Sequence, residues 1–122
     1  MSPETPEFDT ALRFEDLDPQ RPRAILTPWG TMALFVSGDD VYALQAFCPH
    51  LEAPLFQGSV AGGAVTCPWH RWRFDLRSGA CLERGQGRPA AQSDALARAE
   101  VSRSARGTLV LARPDKPIRP LA

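Results

Sequence analysis

The stretches CPHLEAPL, residues 48–55, and CPWHRWRFD, residues 67–75, decide how this chain is read. Each sets a cysteine and a histidine beside a proline. Together they hold both histidines of the protein and two of its three cysteines. Short β-like runs lead into them. Arg23–Thr27, the turn Pro28-Trp29-Gly30, Thr31–Ser37, the turn Gly38-Asp39-Asp40 and Val41–Phe47 predict an antiparallel meander that ends at the first stretch. Gly58, Gly62 and Gly63 punctuate a loop between the two stretches, and Ala64–Thr66 reads as a brief strand delivering Cys67. Beyond it, Trp72, Phe74 and Leu76 alternate with Arg73 and Asp75, the period of a half-buried strand. Arg77-Ser78-Gly79 then turns the chain into Ala80-Cys81-Leu82, a second hairpin. Both cysteine–histidine stretches therefore fall at loop tips.

Downstream, GQGRP (residues 85–89) reads as a loop, and the period-two placing of Ala97, Ala99 and Val101 predicts a strand over 97–103. Arg106-Gly107 leads to a last strand, Thr108–Ala112. The tail ARPDKPIRPLA, with Pro114, Pro117 and Pro120, reads as extended or mobile. Twelve prolines and nine glycines disfavour long helices, so the chain is expected to be all-β.

A length of 122 residues fits one domain with a single modest core. Fourteen basic residues balance fourteen acidic ones, and nothing global points to nucleic acid or membrane. Charge is uneven along the chain: the first twenty residues are acidic, and the last quarter is rich in arginine. No run approaches the roughly 18 apolar residues that span a bilayer. The start MSPETPEFDT lacks the basic and apolar regions of a signal peptide, so a cytoplasmic protein is expected. A reducing compartment disfavours disulfides, which leaves Cys48 and Cys67 as thiolate ligands and Cys81 as a small buried apolar side chain.

The donors read Cys48-x-His50, sixteen intervening residues, then Cys67-x-x-His70. Two thiolates and two imidazoles suit tetrahedral zinc, or a [2Fe–2S] cluster with the cysteines on one iron and the histidines on the other. Zinc fingers usually pair like with like. Here each loop supplies one sulfur and one nitrogen, so each can bridge two metals.

Through CPH, APL and TCPWHRWRFDLRSG the sequence resembles the Rieske family, from about residue 22 to about residue 112. That resemblance implies a small antiparallel β-sandwich or barrel with a cluster-binding subdomain of two loops, about residues 47–85. Residues 1–21 would be a partly ordered extension and 113–122 a proline-rich tail. It implies one [2Fe–2S] cluster held by Cys48, His50, Cys67 and His70, with Leu51, Trp69, Arg71 and Trp72 around it or available for docking. Two ferric ions, two sulfides and two thiolates sum to zero charge. A neutral centre accepts an electron more readily than the doubly negative four-thiolate cluster, which moves the potential from about −400 mV into roughly −150 to +300 mV. Respiratory members carry an extra cysteine in each loop. This chain has none there, so the resemblance is to the low-potential ferredoxins and oxygenase components.

Most relatives place glycine where this chain has Arg71, and arginine does not enter positive φ as cheaply. The tip backbone is expected to differ in detail, and the cation to suit an acidic partner. With both histidines committed, no ligand remains for the mononuclear iron of an oxygenase, so the chain is not expected to be an enzyme by itself. The reading is a one-electron carrier between a reductase and an oxygenase. The alternatives are a small subunit of a nitrite-reductase-type complex and a zinc-bound interaction module.

Overall fold

The computed structural model describes residues 6–48, 53–85, 88–91 and 94–118. Eleven strands lie among them: β1 Glu7–Arg13, β2 Arg23–Thr27, β3 Gly30–Ser37, β4 Asp40–Gln45, β5 Ser59–Ala61, β6 Ala64–Thr66, β7 Arg73–Asp75, β8 Cys81–Glu83, β9 Arg98–Ala99, β10 Val101–Arg103 and β11 Thr108–Ala112. The helical content among these residues is two short 3-10 turns, Phe14–Asp16 and Leu55–Gln57. The fold is nearly all-β. Its strands form three antiparallel sheets in the orders β1-β11-β10, β2-β3-β4-β9 and β5-β6-β7-β8.

The run Met32–Val36 explains the layering. A continuous apolar stretch suits a strand covered on both faces, and β3 is buried throughout this run. Met32 and Leu34 join Ala43, Ala99, Leu109 and Leu111 in one core. Ala33 and Phe35 join Leu44, Val65, Phe74, Leu76 and both cysteines, Cys48 and Cys67, in the other. The middle sheet therefore carries the third sheet, and the second core runs directly under the loop tips.

Ala64–Thr66 is a strand as expected, but Ser59–Ala61, expected as part of a loop, is a strand too, and the two form a hairpin. Gly62 and Gly63 lie at φ 59° and 75° between the paired Ala61 and Ala64. Two successive positive φ values make the tight reverse turn that joins twisted strands, and glycine enters it without steric cost. The strand expected over 97–103 breaks at Glu100. Ala99 pairs with Ala43 of β4, whereas Val101 pairs with Leu111 of β11, so the chain changes sheets at that corner.

The first 21 residues supply β1, which pairs with β11 and bulges where Ala11 sits at φ 63°. At the other end, the Arg98 N–H donates to Asp115, and Ile118 packs on the core that holds Met32. Among the described residues no helix is long and apolar enough to cross a membrane.

Candidate metal centre at the loop tips

The two cysteines sit in loops closed by the same device. The Cys48 N–H donates to the Ala53 carbonyl at 2.7 Å, and the Cys67 N–H to the Trp72 carbonyl at 2.7 Å, five residues on in each case. The Leu55 N–H, bonded to the Ala46 carbonyl, and the Phe47–Pro54 bridge seal the base of the first loop. Phe47 and Phe56 pack there edge to face. In the second loop the Arg71 N–H returns to the Cys67 carbonyl at 3.1 Å, with Arg71 itself at φ 62°. Arginine thus occupies the left-handed conformation expected of glycine. The Arg71 N–H and Cys67 N–H bonds together hold the turn.

Both cysteines are fully buried. The Cys67 sulfur accepts a hydrogen bond from Cys48, which pulls its pKa down to about 6. Backbone N–H groups of His70 and Trp69 and the charge of His70 pull the same way, against the opposing effect of burial. These influences favour the thiolate of Cys67, the form in which cysteine binds a metal. Cys81 is only half-buried. Its thiol donates to the Glu83 carbonyl at 3.5 Å, and burial, the largest influence, pushes its pKa up.

A stack of side chains supports the second loop from beneath. Trp72 is buried, and the Arg84 guanidinium lies 5.1 Å above its ring. Arg84 in turn forms two bonds to the buried Asp94 carboxylate, at 2.9 and 3.1 Å, which also accepts the Ala91 N–H. Gly85 presses its backbone against the His70 carbonyl, leaving no room for a β-carbon. On the first-loop side, the buried Gln45 side chain accepts from the Ala97 N–H at 2.7 Å and donates to the Phe47 carbonyl at 2.8 Å.

Of the residues singled out in the sequence, Cys48 and Cys67 are brought together, and His70, Trp69 and Arg71 are exposed beside them. His50 and Leu51 lie outside the described residues. Among the described residues no three His, Cys, Asp or Glu donors converge on one point; what meets is the sulfur pair, with His70 near enough to act on Cys67. Gly85, Arg84, Asp94 and Gln45 are not found by sequence reasoning. The one available signal is the glycine opening GQGRP, which marks a close backbone approach as well as a loop.

Comparison with known proteins decides the family. The model of the Rieske [2Fe-2S] domain matches residues 10–98, most of the chain. The chain belongs to the Rieske [2Fe-2S] domain family. Its cofactor is one [2Fe–2S] cluster, and the buried, hydrogen-bonded sulfur pair at the loop tips fits that group. Apoptosis-inducing factor 3 of Mus musculus is 34% identical over 70 residues, covering 57% of this chain and 12% of that protein. The first curated relatives are thus much longer proteins, of which this chain spans about a tenth. The anthranilate 1,2-dioxygenase ferredoxin subunit of Burkholderia cepacia is 33% identical over 66 residues, covering 54% of this chain and 61% of that one. In fold, the ferredoxin of carbazole 1,9a-dioxygenase from Nocardioides aromaticivorans IC177 superposes with a TM-score of 0.72 at 24% identity, covering 88% of this chain and 98% of that one.

Proposed function

We propose that this Rieske chain is a ferredoxin-like one-electron carrier, working in the cytoplasm between a reductase and an oxygenase. Cys48, His50, Cys67 and His70 are its cluster ligands, within a cluster-binding part spanning residues 47–85. The observation that carries this reading is the buried Cys48–Cys67 pair next to a tip where His70 is open to solvent. The bound cluster supplies the one-electron change. The chain supplies the rest: it shields the sulfurs, donates N–H bonds to Cys67, and leaves the imidazole side of the site facing outward, where a partner can approach. Likeness to a dioxygenase ferredoxin subunit supports the choice of partners.

The test is anaerobic purification followed by iron and sulfide analysis, with visible and electron paramagnetic resonance spectra before and after dithionite. Two irons and two sulfides per chain, and a rhombic signal that appears on reduction, are expected. Cys48→Ser, Cys67→Ser, His50→Ala and His70→Ala should each abolish that signal. A colourless protein containing zinc would overturn the carrier reading. Obligate co-purification with a large reductase subunit would replace it with the small-subunit role.

A further inference from the structure

The surface beside His70 has a composition of its own, and a docking role for it rests on the carrier reading of the tip. Trp69 is 58% exposed, the largest aromatic surface left in water among the described residues. An exposed indole beside a buried metal-binding pair is an apolar contact point rather than core. Among the described residues, the second loop and the segment beside it leave unpaired charges of one sign. Arg73 pairs with Glu83 and Arg84 with Asp94, but Arg71 and Arg88 have no carboxylate within ion-pair distance among the described residues. Arg88 is tied to the same tip: its Nε donates to the Gly85 carbonyl at 3.1 Å, and Gly85 lies against His70. Glu52, the carboxylate of the first loop, lies outside the described residues. The whole chain has a formal net charge of zero, so this excess is local.

We infer that the second-loop tip is an anion-selecting docking face. Trp69 seats in an apolar recess of the redox partner, and Arg71 and Arg88 meet carboxylates on the rim of that recess. Arginine suits such a rim because its planar fork binds carboxylate oxygens in pairs. Rim charges of this kind act mainly on the rate of encounter and on partner choice.

The experiment uses the holoprotein, reduced and freed of dithionite, with two inorganic oxidants of opposite charge in a stopped-flow instrument. Oxidation by the hexacyanoferrate(III) anion should slow about tenfold as salt rises from roughly 10 to roughly 200 mM, because screening removes the attraction. Oxidation by the tris(phenanthroline)cobalt(III) cation should not slow. The Arg71→Glu/Arg88→Glu double variant should reverse both dependences, and Arg88→Glu alone should weaken them if the double variant loses its cluster. A second arm uses two heptapeptides, six glutamates about a central phenylalanine and the same with central glycine, as competitors of hexacyanoferrate. The phenylalanine peptide should compete several-fold better, and Trp69→Ala should erase that advantage. Equal salt dependence for the two oxidants would overturn the docking face while leaving the carrier intact. A protein that reacts with neither oxidant would overturn the carrier reading, and the inference with it. Equal competition by the two peptides would remove Trp69 from the face.

Discussion

Gly85→Ala should damage the metal centre from a distance of fifteen residues in sequence. A β-carbon at position 85 would fall on the His70 carbonyl oxygen, well inside 3.0 Å, the closest approach such contacts show, and it would also crowd the His70 carbonyl carbon. Both sides of the clash are backbone, so no side chain can rotate away. The β8 end and the second loop must instead part by about 1 Å in a packed interior that has little slack. Overpacking of this kind costs about 1–3 kcal/mol, and the rigid partners place this case at the upper end. For a chain of this size that corresponds to a Tm lower by on the order of 10 °C. The assay is iron per chain and the paramagnetic signal of the reduced protein, with far-ultraviolet circular dichroism to confirm the sheets. Loss of iron or shifted g values with the β spectrum intact is the expected result. Gly38→Ala is the control, since nothing lies near its added carbon; its positive φ should cost stability without touching the cluster signal. Full iron and an unchanged signal in Gly85→Ala would refute the view that this glycine sets the position of His70.

Arg71→Gly should leave the cluster signal in place and raise stability by about 0.5 kcal/mol, because relief of left-handed strain exceeds the extra freedom of the unfolded chain; Arg71→Val should lower it by about 1 kcal/mol or more. Thermal unfolding of the holoprotein checks both. Asp94→Ala removes a buried carboxylate that holds Arg84 and the Ala91 N–H, and should cost about 2–4 kcal/mol by denaturant unfolding, with Arg84→Met/Asp94→Leu costing less than Asp94→Ala alone. Asp9 is held below its ordinary pKa of 3.8, first by the Ala11 N–H and then by the Thr108 hydroxyl. A depressed carboxylate stabilises the fold above the unfolded value and loses that contribution as pH falls through the folded one. Asp9→Asn should therefore flatten the part of the acid unfolding curve below about pH 4, and an unchanged curve would exclude the effect.

Much of this architecture is legible in the chain, and the parts that are not share a physical cause. Arg23–Thr27 and Thr108–Ala112 have the bounds expected of them, because apolar alternation and flanking turns mark both ends. The strand Glu7–Arg13 escapes a sequence reading although Phe8, Thr10 and Leu12 alternate. Its inward side chains are only half-buried, and acidic neighbours mask the period. Gly62 and Gly63 stand out as punctuation, yet two adjacent glycines are also the sequence of a two-residue hairpin turn. At the candidate site, cysteine–histidine spacing singles out Cys48 and Cys67, which the fold brings together, since metal chemistry constrains residue type directly. Contacts between distant segments leave no such mark: nothing periodic links Gly85 to His70, or Gln45 to Ala97. The positive φ of Arg71 is hidden for a related reason, since the hydrogen bonds that hold it belong to the closed loop and not to the residue.

The pairing of β1 with β11 joins residues about a hundred positions apart, whereas β5 to β8 pair only with their sequence neighbours. Ring closures that span short stretches cost less entropy and form sooner than those that span long ones. During synthesis on the ribosome, the lobe carrying the second cysteine loop can thus take shape before the final strand has emerged. Iron delivery then has a window in which the outer sheet is still incomplete.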